Sequence, residues 1–300
     1  MLKRFLYQLR RLLYSPLSDF AYLTHPLFNS NVLADQLAQK QILNQYLSMR
    51  KARLLPLPIN QVGWRAFSQF DEDGILLYIF SIIGSTNRLA VEIGADCESD
   101  FFGFPESNTT NLLVNHHWQG LIIDASSRNI KKLQRFFRNC RNTTYQPPVL
   151  LQALVDRQNI NRLIKKAGFS GEIDLFSLDV DSNDYWLFQA LEIIKPRVLV
   201  LEINQFWQDQ AAVSIPYQNQ KNLHAFSNLR QKNPSYFGAS LVAMVKLAKQ
   251  KGYRLVALNS FGHNAFFVRK NLGLKFLPTL PVKYAVEQKA PSHGLKWVRV

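Results

Sequence analysis

Cysteine is scarce in this chain, and acid is almost missing from its last third. The two cysteines, Cys97 and Cys140, make neither a disulfide framework nor a metal-binding spacing, which suits a reducing compartment. Long apolar runs are missing too. The stretch "GILLYIFSIIGSTN" stops at fourteen residues, short of the ~18 that cross a bilayer. Neither G-x-G-x-x-G nor G-x-x-x-x-G-K followed by Ser or Thr occurs, so a dinucleotide pyrophosphate or a triphosphate lacks its usual cradle. Residues 221 to 300 hold fourteen Lys/Arg against one acid, whereas residues 63 to 220 hold fourteen against eighteen. The net charge of +15 is therefore segregated. An acidic middle suits a cationic ligand, and a basic C-terminal third suits an anionic substrate, a nucleic acid or a membrane surface. The core has no basic stripe interleaved with stacking aromatics, which disfavours nucleic acid.

What is present is a chain of 300 residues with 47% apolar content, enough to bury the core of one α/β domain with extensions. The opening "MLKRFLYQLRRLLY" sets Leu2, Phe5, Leu6, Leu9, Leu12 and Leu13 at helical spacing with basic residues on the other faces. Such a helix can pack on the domain, lie on an anionic membrane or serve as a targeting peptide. A second helix is expected near 33 to 53. Residues 1 to 62 thus read as a helical extension, 63 to 275 as the main domain and 276 to 300 as a basic tail.

From residue 71 strands and helices alternate. "DEDGILLYIFSIIG" reads as a helix capped by Asp71 or Asp73. Strands are expected at 88–93, 120–124, 149–155, 174–180 and 197–203, with helices between, which predicts a parallel sheet covered on both faces. "YRLVAL" and "NAFFVR", separated by a short turn, predict an antiparallel hairpin at one sheet edge. Ligands of open parallel sheets sit beyond the carboxyl ends of the strands. Nearly every such end here carries acid: Glu92 and Asp96, Asp124, Asp156, Asp179 and Asp181, then Glu202. Carboxylates repel phosphate and favour a ligand with positive charge or hydroxyl donors. Asp124, closing "GLIIDAS", is placed to accept hydrogen bonds from vicinal ribose hydroxyls. Glu92 and Asp96, flanking Gly94, suit an ammonium or sulfonium. A nucleoside with a cationic tail, such as S-adenosylmethionine, meets both demands.

The blocks "SQFDEDGIL", "VEIGADCES", "NTTNLL", "GLIIDAS", "SLDVDSNDYW", "RVLVLEIN", "FGASL" and "NAFFV", in this order from about Ser68 to Arg269, resemble the FkbM-type family of S-adenosylmethionine-dependent methyltransferases. The resemblance implies the class I methyltransferase fold, a Rossmann-like seven-stranded, mostly parallel sheet with an antiparallel edge strand. The strand-end chemistry above puts the candidate cofactor site at Glu92, Gly94, Asp96, Asp124 and Asp156, with Asp156 taken alone reading as a helix cap or loop acid. The glycine-rich turn of the wider class is reduced here to Gly94 followed by "ADCES", and an inserted loop, "ESDFFGFPESN", follows.

Methyl transfer to an alcohol requires an aligned acceptor and removal of its proton, by a base or by a metal. Asp179, Asp181 and Asp184 with Glu202 offer either: oxygen ligands for Mg2+, or bases. Asp184 is equally placed to cap the helix that follows. His263, beside Asn264, is a further base candidate, with a structural role near the hairpin as the alternative. Residues 204 to 237 exceed the ~15 of a structureless connection and read as a substrate loop or lid, with Trp207, Tyr217 and Tyr236 able to stack on a ring or anchor the loop. The expected activity is O-methylation of a sugar, glycan or related small metabolite, with an anionic acceptor favoured by the basic C-terminal third. The expected location is cytoplasmic, with peripheral contact to the inner membrane surface open to residues 1 to 14. Two other readings compete: a metal-dependent glycosyltransferase using "DVD" as a D-x-D motif, and a non-catalytic membrane-peripheral module.

Overall fold

Short runs of Val, Ile and Leu that bury on both sides build the centre of the protein. The computed structural model describes residues 31–97, 104–207, 211–282 and 295–300. In chain order these hold α1 (Asn31–Lys51), α2 (Glu72–Ile83), β1 (Leu89–Ile93), β2 (Asp96–Cys97), β3 (Pro105–Glu106), α3 (Thr110–His116), β4 (Gln119–Asp124), α4 (Ser127–Asn139), β5 (Val149–Gln152) and α5 (Ile160–Lys166). There follow β6 (Gly171–Leu178), α6 (Asp184–Ala190), β7 (Ile194–Glu202), β8 (Val213–Ser214), α7 (Leu223–Lys232), α8 (Leu241–Gln250), β9 (Tyr253–Leu258), β10 (Asn264–Arg269) and β11 (Val298–Arg299).

Seven strands form one sheet in the order β5-β4-β1-β6-β7-β10-β9. Neighbours are parallel except around β10, which runs antiparallel to both β7 and β9. This is the class I methyltransferase arrangement, Rossmann-like and mostly parallel. The hairpin closes its edge with β10 tucked inside β9. The strand order reverses between β1 and β6, the switch point at which such sheets bind ligands.

Alternation along each strand divides the core in two. Val91, Ile93, Leu121, Ile123, Phe176, Leu178, Leu199 and Leu201 pack on the face covered by α5, α6 and α8. Ala90, Ile122, Leu175, Val198, Val200 and Phe266 pack on the other, under α2, α3 and α4. The same parity places Glu92, Asp124, Asp179, Glu202 and Asn264 on this second face. The second helix foreseen near 33–53 is α1, which packs on α2 and α3 through the Tyr46–Tyr78 edge contact at 5.1 Å and the Gln39 to Asn111 hydrogen bond at 3.0 Å.

At the amino-terminal edge of the sheet, buried Asp174 accepts the backbone N–H groups of Thr86, Asn87 and Arg88 and pairs with Arg197 at 2.8 Å. Nearby, the ring of His116 meets Gln39 Oε1 at 2.6 Å. Burial there lowers the His116 pKa to about 4.

Local expectations shifted where a side chain found a different partner. Neither Asp71 nor Asp73 caps α2. Asp71 holds the cap position without a side-chain bond to the helix, and Asp73 Oδ2 gathers the N–H groups of Ala66, Phe67 and Ser68 at 2.7 to 2.9 Å. β5 stops at Gln152 because the chain turns at Asp156, whose Oδ1 accepts the N–H groups of Gln158 and Asn159, both at 2.8 Å. The basic stretch 1 to 14 lies outside the described residues. No helix among the described residues is long and apolar enough to cross a membrane.

Candidate active site

A cavity of about 980 Å³ opens at the carboxyl ends of β1, β4, β6 and β7, at the upper end of the size range of small-molecule sites. Gly94, Asp96, Asp124, Ala153, Asp179, Asp181, Glu202, Arg230 and His263 all line it. Its floor depends on Gly94. This residue has φ +84°, donates its N–H to Ile123 O at 2.9 Å, and would carry a Cβ only 1.6 Å from Asp179 O. Glycine is needed here for the close approach of the β6 backbone as well as for the turn.

On the Asp124 side, the carboxylate is half-buried, and its Oδ1 accepts the N–H of Ser126 at 2.7 Å. Ser126 in turn caps α4 by accepting from Asn129 N–H at 3.2 Å, and Asn129 Nδ2 donates to Asp96 Oδ1 at 3.1 Å. Burial pushes the Asp124 pKa up, against the Ser126 hydrogen bond that favours the charge. Glu92 lies at the back of this region with both oxygens engaged: Oε2 accepts the hydroxyls of Ser107 and Thr109, both at 2.5 Å, and Oε1 the Asn108 N–H at 2.8 Å. Glu92 lines the cavity too, but with both oxygens engaged it anchors the end of the inserted loop rather than offering a free carboxylate. Asp156 does not line the cavity; its carboxylate opens the turn before α5.

The opposite side is built by "SLDVDSNDYW". Asp184 turns back on its own strand end, with Oδ1 accepting Val180 N–H at 2.8 Å and Oδ2 accepting Ser182 N–H at 3.0 Å. It braces the turn before α6 instead of capping the helix after it, and burial lifts its pKa to about 7. Asn183 exchanges two hydrogen bonds with the backbone of Gln218, and Trp186 Nε1 donates to Ile215 O. The motif therefore ties residues 204–237 to the sheet. Asp181 adopts φ +58°, a left-handed conformation that Asp tolerates better than most residues. Its N–H donates to Glu202 Oε2 at 3.1 Å.

The turn brings Asp179, Asp181 and Glu202 together, with one oxygen of each within 4.8 Å of the others. Three carboxylates so close cannot all ionise cheaply. Burial first, then the mutual repulsion of these acids, holds Asp179 and Glu202 well above the usual carboxylate range. No side-chain hydrogen bond reaches the Asp179 carboxylate among the described residues. His263 lines the same wall, stacked on Phe70 at 5.5 Å, and burial lowers its pKa, favouring the neutral ring.

Sequence reasoning missed Arg230. It reaches across from α7 to place Nη2 2.6 Å from Asp181 Oδ1, forty-nine residues away in the chain, and no local pattern marks it. Gln205 and Asn264, both buried, also line the cavity unforeseen. Of the two roles open to Trp207, Tyr217 and Tyr236, stacking on a ligand or anchoring the loop, the contacts match the second, since none of the three lines the cavity. Trp207 packs on Trp297 at 5.1 Å, Tyr236 donates to Lys296 O at 2.6 Å, and Tyr217 lies under Arg157 at 4.2 Å. They fasten residues 204–237 to the sheet and to the described C-terminal residues, where β11 pairs with β8. Phe70, Phe206 and Phe237 line the cavity instead.

No family model and no curated protein matches the chain. Among solved structures, the CurJ carbon methyltransferase is 18% identical with a TM-score of 0.37, over 66% of this chain and 52% of that one. The mycolic acid cyclopropane synthase CmaA1 is 10% identical with a TM-score of 0.34, over 67% and 73%. The pyocyanin biosynthetic protein PhzM is 12% identical with a TM-score of 0.33, over 65% and 57%. This chain thus matches about half the length of CurJ. The strand order described above carries the fold assignment.

Proposed function

We infer that the protein is an S-adenosylmethionine-dependent methyltransferase that O-methylates a hydroxyl of a sugar, glycan or related small metabolite. The observation that carries this reading is the partition of one cavity, with half-buried Asp124 beside the Gly94 turn on one side and the Asp179, Asp181 and Glu202 carboxylates on the other. S-adenosylmethionine fits the first side by its chemistry: Asp124 suits ribose hydroxyls, and acid without a phosphate cradle suits a cationic tail. When bound, the cofactor supplies a methyl group on a sulfonium. The chain's own residues hold the acceptor. Asp179 and Glu202 orient its hydroxyl, and whichever carboxylate of the Asp179, Asp181 and Glu202 cluster stays ionised takes its proton. Neutral His263 is a second acceptor for that proton. Phe70, Phe206 and Phe237 exclude water. The three carboxylates are also hard oxygen donors of the kind that hold Mg2+, which would lower the pKa of the acceptor hydroxyl.

Calorimetric titration with S-adenosylmethionine tests the reading. Wild-type protein should bind, and Asp124→Ala should bind at least about tenfold more weakly, since charged hydrogen bonds contribute roughly 1.5 to 3 kcal/mol each, with an unchanged melting temperature. Equal affinities, or no binding by the wild type, would overturn it.

A further inference from the structure

At the β6–β7 corner of the cavity, converging acceptor oxygens outnumber the donors that meet them. Besides Asp179, Asp181 and Glu202, two residues more than nine-tenths buried line the same cavity, Gln205 and Asn264. Their carbonyl oxygens, Oε1 and Oδ1, have no hydrogen-bond partner among the described residues. Asn264 stands directly opposite Glu202 in the β10–β7 register, which sets the two side chains on one face at contact distance. Gln205 opens the short helical turn, Gln205–Trp207, by which the chain leaves β7.

Among the described residues, one cation answers this group. Arg230 pairs with Asp181 at 2.6 Å through a side chain that is 33% exposed. A guanidinium directs its donors in a plane, so it suits one carboxylate well and three converging ones poorly. A hard divalent cation takes carboxylate and amide oxygens from several directions at once.

We propose that this corner is a divalent-cation site in which the incoming ion displaces Arg230 from Asp181. Asp179, Asp181 and Glu202 are its charged ligands, and the unpartnered amide oxygens of Gln205 and Asn264 complete the polar surround. Displacement releases a tether between α7 and the turn after β6, so the ion and residues 219–237 respond together. The proposal deepens the methyltransferase reading at the same cavity by assigning its acceptor side a cation and a resident competitor.

Calorimetry with Mn2+ on the full-length wild type, Arg230→Gln and Glu202→Gln is the test, joined to hydrogen exchange of the α7 amides. Wild-type protein should bind one ion. Arg230→Gln should bind it about tenfold more tightly because the competing charge is gone, and Glu202→Gln at least tenfold more weakly. Mn2+ should speed exchange in α7 of the wild type and leave that of Arg230→Gln unchanged. Equal or weaker binding by Arg230→Gln overturns the displacement, and absence of binding by both proteins overturns the site. S-adenosylmethionine titrated without metal separates the two readings. Cofactor binding without Mn2+ uptake removes the cation site alone, and Mn2+ uptake without cofactor binding removes the methyltransferase reading alone.

Discussion

One strand carries an acid towards each end, Asp174 buried and Asp179 half-buried, and the two live in opposite conditions. Asp174, near the start of β6, has an arginine partner and three backbone N–H donors. Asp179, just past its end, faces Asp181, Asp184 and Glu202, and the nearby arginine is given to Asp181. A buried charge fully surrounded by donors is a structural device, because removing either partner leaves the other stranded. A crowd of acids short of donors has no such purpose in folding, and its strain is what a ligand, a proton or an ion would relieve. The amino edge of this sheet holds the fold together, and the carboxyl edge holds chemistry in reserve.

The largest effect that would break this contrast is at the amino edge. Arg197→Met should cost about 3 to 5 kcal/mol by leaving Asp174 buried without its counter-charge, read as a drop in the denaturant midpoint. A loss below about 1 kcal/mol would remove the structural role. At the other end Asp179→Asn should do the reverse. It should keep or raise stability by about 1 kcal/mol, since it deletes a repulsive charge, while lowering methyl transfer at least about a hundredfold. A destabilised Asp179→Asn would make both ends structural.

The smallest effect is a pair of opposing pH slopes. The unfolded chain protonates His116 near pH 6.5, whereas the folded protein resists until about 4. The amino edge therefore loses stability as pH falls between those values, by about 2 kcal/mol in all once solvent screening is allowed for. Asp179 and Glu202, with raised pKa values, run the other way. Their folded forms hold protons that the unfolded chain has released, so their contribution is full at low pH and fades as pH rises through the folded values. His116→Gln should flatten the loss of stability as pH falls in a melting-temperature series, and Asp179→Asn should flatten the loss as pH rises. Identical profiles for the two variants would deny that the ends differ.

The fold was legible because its signals are local. Apolar runs of strand length, helices between them and a short turn before "NAFFVR" each record one element's burial, and together they leave one architecture. The row of strand-end acids was legible for the same reason, since a parallel sheet gathers the ends of its strands at one edge. What each acid does there was not. Glu92, Asp124 and Asp156 look alike in sequence, yet Glu92 is tied up at the back of the cavity, Asp124 lines it half-buried, and Asp156 lies outside it and turns the chain before α5.

Local periodicity and strand order, written in the sequence, determined the sheet and the edge at which to look. Tertiary structure alone decided which acids share a pocket, because that depends on partners far along the chain. Arg230 meets Asp181 across forty-nine residues, and Asn264 meets Glu72 across one hundred and ninety-two. A hydrogen bond satisfies a carboxylate wherever its donor comes from, and no short stretch of sequence records a donor that arrives from another element.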